Sequence, residues 1–198
     1  MKSFDYYLYI IKFEKLLLKK KLKVKYEYFD ITDIKFNEKL LKNIFKKYGS
    51  PHIMINSTYP KLDTWSKSNF KDINYQIMSS NINNNLLSSS WIAKIFADYM
   101  LIKKISGSII TMGSIYGMVA QNPNLYKNTN MKENMFYPII KGGLISYTKQ
   151  MASYYGKFNI RINIISPGGI KGHIAGKSKT QNPNFIKNYI NNVPLKRM

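Results

Sequence analysis

Short apolar runs alternate along most of this chain with longer stretches in which apolar residues recur every three or four positions. Runs rich in β-branched and aromatic residues predict strands near 24–31, 52–57, 108–113 and 161–166. Apolar residues three or four positions apart predict helices near 36–48, 73–104 and 138–156, with an interruption of the second helix at the asparagine run 83–85. Strands that alternate with helices indicate an α/β fold, in which helices flank a parallel sheet.

The residues with the clearest chemical meaning lie between Gly107 and Ile170. Ser114 follows a predicted strand, and Tyr137 precedes Lys141 by four residues, which places the last two side chains on one face of a helix. We expect all three to meet at the carboxyl ends of parallel strands, where open α/β sheets bind ligands. A phenol has a pKa of about 10, and a nearby ammonium is expected to lower that pKa toward the range useful for proton transfer. The Ser114 hydroxyl would hydrogen-bond the substrate oxygen that receives the proton.

The Tyr-x-x-x-Lys spacing is weak by itself, because the chain contains 16 tyrosines and is rich in lysine. Tyr126 also follows Ser114, but Asn130 stands where the lysine would be needed. An ordinary surface role for Tyr137 is therefore an alternative. Pro138 is tolerated only in the first turn of a helix, so Tyr137 is expected at the helix start.

The ordered set of motifs resembles the classical short-chain dehydrogenase/reductase family over roughly residues 24–198. Ser114 matches the family's catalytic serine, Tyr137 and Lys141 match its Tyr-x-x-x-Lys, and Asn85-Leu resembles the segment with its fourth catalytic residue. The chain most resembles reductases of surface-glycan and flagellin modification, and also 3-oxoacyl-carrier-protein reductases. By this resemblance the catalytic residues are Ser114, Tyr137, Lys141 and Asn85.

The resemblance also implies NAD or NADP as the cofactor and a small carbonyl or hydroxyl compound as the substrate. Asp30-Ile-Thr resembles the segment that contacts adenine, and Asn56 is what remains of an Asn-Asn-Ala-Gly motif. The segment 166–170 resembles the loop that closes over the nicotinamide. The implied cofactor-binding residues are Asp30, Ile31, Asn56, Lys141, Pro167, Gly168 and Ile170.

The segment between Ser114 and Tyr137 is longer than is usual in the family. Long loops in compact domains are commonly functional. The tyrosine, asparagine and glutamine residues here suit a hydroxylated substrate such as a sugar or a glycan precursor. A plain surface insertion is the alternative.

The family's Gly-rich phosphate loop is expected after a first strand, yet Gly49 is the first glycine of this chain. Such a loop holds the pyrophosphate with backbone N–H groups at a helix N-terminus. We therefore expect residues 1–198 to form a single, incomplete Rossmann-like domain. Its three-layer parallel sheet with flanking helices would lack the first strand, the Gly-rich loop and the last strand, which makes catalytic activity of this chain doubtful.

The composition of the chain argues against nucleic-acid, metal and membrane partners. The formal charge of +21 is spread along the chain and accompanies abundant Asn, Ile, Tyr and Phe, as compositional drift in an A/T-rich genome would produce, so no specific nucleic-acid partner is expected. No cysteine and only His52 and His173 are present, which argues against a cysteine or histidine metal centre. The apolar run 6–11 is too short to span a bilayer, so a cytoplasmic location without a membrane partner is expected.

The helices near 85–104 and 138–156 carry apolar stripes. By the resemblance, they would also form the interface of a homo-oligomer. Two alternatives to a reductase stay open. One is a non-catalytic remnant or dimerising partner protein with the same fold. The other is a basic nucleic-acid-binding protein, for which the chain offers no recognition motif.

Overall fold

The computed structural model describes residues 16, 17, 19–60, 62–171 and 181–198. These residues fall into two units, the first within 16–30 and the second within 31–171 and 181–198. The second unit contains the sheet and all the helices described below.

In the first unit a helical turn ends at Lys20, whose backbone N–H donates to the carbonyls of Leu16 and Leu17. Lys21 then adopts a left-handed conformation with φ of 60°, and residues 22–30 have no regular secondary structure. The prediction of a strand at 24–31 is therefore wrong. Apolar alternation expresses only a propensity, and a segment becomes a strand only when a neighbouring strand pairs with its backbone.

The sheet in the second unit is parallel, and its three strands lie in the order β1-β2-β3. Their bounds are Ile53–Asn56 for β1, Gly107–Met112 for β2 and Ile160–Ile165 for β3. Ile53 lies opposite Ser108, and Gly107 lies opposite Ile160. Three of the four predicted strands are confirmed, with each end within one residue of its predicted position.

Five α-helices surround the sheet in this unit. They are α1 (Ile34–Tyr48), α2 (Tyr75–Asn81), α3 (Ser88–Ile102), α4 (Phe136–Tyr155) and α5 (Pro183–Asn191). A π-helical segment, Ile82–Leu87, joins α2 to α3 and contains the asparagine run at which an interruption was expected. Single 3-10 turns cover Asp63–Lys67, Ile115–Gly117, Pro123–Tyr126 and Gly156–Phe158.

Helix α4 packs against β3, and its buried stripe anchors the part of the helix that carries the candidate site. Phe136 and Ile140 are fully buried, and with Leu144 and Ile77 of α2 they form one apolar cluster. Tyr137 and Lys141 follow Phe136 and Ile140 by one residue each, so they occupy the neighbouring stripe of the same helix. The core contact therefore determines which way the Tyr137–Lys141 stripe faces.

Candidate active site

The candidate site forms where β2 ends. Ser114 is 6% exposed and caps the turn Ile115–Gly117, because its Oγ accepts a hydrogen bond of 3.2 Å from the backbone N–H of Tyr116. The backbone N–H of Ile115 donates to the carbonyl of Pro167 over 3.1 Å. This bond ties the segment after β2 to the loop after β3, so both segments reach the same edge of the sheet.

Tyr137 is the second residue of α4. The side chain of Asn134 caps the helix, its Oδ1 accepting a hydrogen bond of 2.8 Å from the Tyr137 backbone N–H. Pro138 follows in the first turn, where its missing N–H removes no helical hydrogen bond. The expectation that Tyr137 lies at the helix start is therefore met.

Lys141 lies one turn further and is 4% exposed. Its Nζ donates a hydrogen bond of 2.8 Å to the backbone carbonyl of Met112, the last residue of β2. The same Nζ lies 5.6 Å from the centroid of the Tyr137 ring. Burial lowers the pKa of Lys141 to about 8, because removing the ammonium from water disfavours its charged form.

The pKa of Tyr137 is raised, contrary to the expectation that Lys141 would lower it. Burial of the phenol is the largest cause, and a hydrogen bond from Ser114 that favours the phenolate opposes it. The Lys141 ammonium donates to Met112 and lies over the Tyr137 ring. Tyr137 is therefore a neutral phenol at neutral pH and can donate a proton.

Two of the residues predicted for the site, Asn56 and Asn85, are buried asparagines. Asn85 lies in the π-helical segment, and its Nδ2 donates to the carbonyls of Pro60, over 3.1 Å, and Asn81, over 3.2 Å. Asn56 ends β1, and its Oδ1 accepts from the N–H and hydroxyl of Thr58. Each amide keeps one buried atom without a described hydrogen-bond partner, Oδ1 in Asn85 and Nδ2 in Asn56.

The loop after β3 brings Pro167 and Gly168 to the same edge. The Gly169 N–H donates to the hydroxyl of Tyr189 on α5, and the carbonyl of the 68%-exposed Ile170 accepts from Gln181 over 3.1 Å.

The predicted adenine contacts fall in different units. Ile31 is buried just before α1 in the second unit, and Asp30 lies in the first unit. The catalytic and cofactor-binding roles of all these residues stay predictions.

An aromatic cluster beside Tyr137 escaped the sequence reasoning in part. The Tyr137 ring has edge-on contacts with Tyr59 at 5.5 Å, Trp65 at 6.4 Å and Tyr116 at 6.4 Å between ring centroids. The sequence patterns indicate Tyr116 only as part of the long segment, and they do not single out Trp65. The available signal was Tyr59 itself, an aromatic residue directly after a strand whose end faces the site.

The long segment after Ser114 is ordered by its own amides and by α5. Gln121 Nε2 donates to the Asn134 carbonyl over 2.7 Å, and Gln121 Oε1 accepts from the Tyr126 hydroxyl over 2.7 Å. Asn188 of α5 donates to the carbonyls of Leu125 and Lys127. Burial raises the pKa of Tyr126 to about 12. The segment thus packs against α5 and holds the helix cap Asn134 in place.

Comparison with known proteins assigns the chain to a family. Residues 14–198 match the family model described as enoyl-(acyl carrier protein) reductase. The chain belongs to the short-chain dehydrogenase/reductase family. No helix in the part of the chain that the structure describes is long and apolar enough to cross a membrane.

Three similar proteins illustrate the range of the family. Post-translational flagellin modification protein A of Campylobacter coli is 30% identical over 145 residues, which cover 71% of this chain and 55% of that protein. NADH-dependent L-xylulose reductase of Ambrosiozyma monospora is 25% identical over 170 residues, covering 85% and 58%. A short chain dehydrogenase from Leptospira borgpetersenii, solved with bound NAD+, superimposes with a TM-score of 0.73 at 27% identity, covering 89% and 66%. This chain therefore spans less than two thirds of the length of each of these relatives.

The residues present fit one half of the nicotinamide dinucleotide that the family implies. Lys141 offers a buried ammonium, and Asn56 and Asn85 offer buried amide atoms without described partners, as the hydroxyl-rich ribose and the carboxamide require. For the pyrophosphate, the described residues contain no Gly-rich turn that opens a helix. Donors and acceptors of this kind suit the nicotinamide and its ribose, and their binding of the cofactor stays a prediction.

Proposed function

We propose that this chain carries the catalytic site of an NAD- or NADP-dependent oxidoreductase that interconverts a carbonyl and a hydroxyl group. The observation that carries the proposal is the meeting of Ser114, Tyr137 and Lys141 at the end of β2. A hydrogen-bond donor, a neutral phenol and a buried cation lie within one small volume there. Family membership and a relative solved with bound NAD+ support the same class of reaction.

In the reducing direction the Tyr137 phenol donates its proton to the carbonyl oxygen, and the Ser114 hydroxyl hydrogen-bonds that oxygen. The bound nicotinamide supplies the hydride that the carbonyl carbon receives. The raised pKa of Tyr137 keeps the proton on the phenol at neutral pH until the substrate oxygen becomes basic. The hydrogen bond from Ser114 favours the phenolate that remains, Lys141 would hold the ribose, and Asn85 is proposed as the fourth catalytic residue.

The substrate we propose is polyhydroxylated, a sugar or a glycan precursor. Two similar proteins are named for an L-xylulose reductase activity and for flagellin modification, which supports this class. The long segment offers the side chain of Tyr116, whose ring contacts Tyr137 and whose hydroxyl suits the hydroxyl groups of such a substrate. A plain surface insertion is disfavoured, because the segment is held by α5 and contacts Tyr137.

Reduction of L-xylulose by the 198-residue chain tests the proposal, with reduced nicotinamide mononucleotide and NADH compared as hydride donors. The mononucleotide is needed because the described residues fit only the nicotinamide half. We expect similar affinity for the two donors, measured by calorimetry. Tyr137→Phe should lower the rate by about 10²–10⁴-fold, the usual contribution of a general acid. It should leave donor affinity unchanged.

Tyr154→Phe is the matched control, because Tyr154 lies on the same helix and is 55% exposed. Equal activity of Tyr137→Phe and Tyr154→Phe would refute the assignment of Tyr137 as the proton donor. Binding of neither donor would favour the alternative of a non-catalytic protein with the same fold.

We also propose a homo-oligomer that forms through the helices near 85–104 and 138–156. A groove of about 690 Å³ runs between these helices, lined by Leu87 and Trp91 on one side and by Gly143 and Tyr147 on the other. Leu87 is 54% exposed and Trp91 is 41% exposed, so burial of this face would be favourable. A cytoplasmic location stays a prediction.

A further inference from the structure

Tyr59 lies in the turn after β1 and contacts two members of the candidate site. Its ring is 5.5 Å from the Tyr137 ring, at an interplanar angle of 62°. Lys141 Nζ lies 5.1 Å from the centroid of the Tyr59 ring. The ring of Trp65 also contacts Tyr59, with 5.7 Å between the ring centroids. Tyr59 therefore belongs to the immediate surroundings of the groups proposed to react.

The ring and the hydroxyl of Tyr59 have different surroundings. The ring packs on the apolar cluster that includes Phe136 and Ile140, a role that phenylalanine would fill equally well. The hydroxyl is buried, and no described group hydrogen-bonds it. A buried polar group without a partner destabilises the folded state, so buried hydroxyls are nearly always paired in native proteins. Packing alone does not account for a tyrosine at this position.

We propose that the Tyr59 hydroxyl binds the substrate, by a hydrogen bond to a hydroxyl group on the carbon next to the reacting carbonyl. This inference rests on the proposed function, because it places the substrate against Tyr137. A phenol both donates and accepts, as a neighbouring alcohol requires. The edge-on contact of the two rings brings Tyr59 beside the phenol that serves the carbonyl oxygen. Tyr59 thus makes the site selective for α-hydroxy carbonyl compounds.

The test exploits the position of Trp65. The chain contains two tryptophans, Trp65 and Trp91, and only Trp65 contacts Tyr59 and Tyr137. In a Trp91→Phe background, Trp65 fluorescence therefore reports ligand binding at the site. L-xylulose and its 1,3-dideoxy analogue, which lacks both hydroxyls next to the carbonyl, are titrated with nicotinamide mononucleotide present.

We expect Tyr59→Phe to weaken binding of L-xylulose by about 3–10-fold, as loss of one neutral hydrogen bond predicts. Binding of the 1,3-dideoxy analogue should change less than twofold. Thermal unfolding should show that Tyr59→Phe is at least as stable as the parent, because the variant loses only a buried hydroxyl without a described partner.

An equal loss for both ligands, or no loss for either, would overturn the role of Tyr59 while leaving the proposed function intact. If neither ligand changes Trp65 fluorescence in the parent protein, the proposal of a sugar substrate is refuted, and the proposed role of Tyr59 is refuted with it. The two failures are thus distinct. A loss confined to the ligand with the adjacent hydroxyl supports the proposal.

Discussion

Gly117 lies where the turn after β2 packs directly on the backbone of α4, and replacing it with alanine should disturb the candidate site. A Cβ at this position would lie 2.7 Å from the carbonyl carbon of Lys141, 2.8 Å from its oxygen and 2.7 Å from Ile145 Cδ1. All three distances are well inside the 3.4 Å at which ordinary contact begins. Two of the atoms are backbone, so a side-chain rotation cannot relieve the overlap.

The expected cost follows from this geometry. Overpacking of a well-packed interior costs about 1–3 kcal/mol. For a chain of 150–250 residues, each kcal/mol lowers Tm by about 2–4 °C, so Gly117→Ala should lower Tm by about 2–12 °C. The turn begins at Ser114, and moving it off α4 also separates Ser114 from Tyr137.

Gly156→Ala is the matched control. Gly156 has helical backbone angles, with φ of −57°, and a Cβ there would meet no atom within 4 Å. Its replacement should stabilise the protein by about 0.4–1 kcal/mol, by restricting the unfolded chain. Thermal unfolding of both variants measures the contrast. If Gly117→Ala melts at or above the temperature of Gly156→Ala, the turn moves off α4 without cost, and the close packing inferred here is wrong.

Two further predictions concern charge and assembly. The pKa of Lys141 is about 8 in the folded chain, against 10.5 for an ordinary lysine, so above pH 8 the unfolded state binds more protons and stability rises with pH. Relative to Lys141→Met, the wild-type chain should gain about 2 kcal/mol in free energy of unfolding between pH 7 and 9.5, measured by urea unfolding, and a constant difference would contradict a buried ammonium. Leu87→Lys should shift the chain from dimer to monomer in light scattering. Leu195→Lys, at a 75%-exposed position outside both helices, should not, and equal behaviour of the two variants would refute the proposed interface.

Local sequence patterns determined most of the architecture. Apolar periodicity located three strands to within one residue, because alternation and helical spacing depend on neighbours along the chain. The same reasoning placed Tyr137 and Lys141 on one helical face near the helix start, since Pro138 is tolerated only in the first turn. The asparagine run 83–85 likewise marked the π-helical segment.

Tertiary structure decided what depends on distant parts of the chain. The strand expected at 24–31 does not form, because a strand needs a neighbouring segment to hydrogen-bond its backbone and its own residues cannot provide that partner. The pKa of Tyr137 is raised because burial outweighs the hydrogen bond from Ser114, and burial is created by packing. Tyr59 reaches Tyr137 across 78 residues of sequence, a contact that only the folded sheet produces. Spacing predicts which side chains share a helical face, whereas the solvent and the neighbours that each side chain meets are set by the assembled fold.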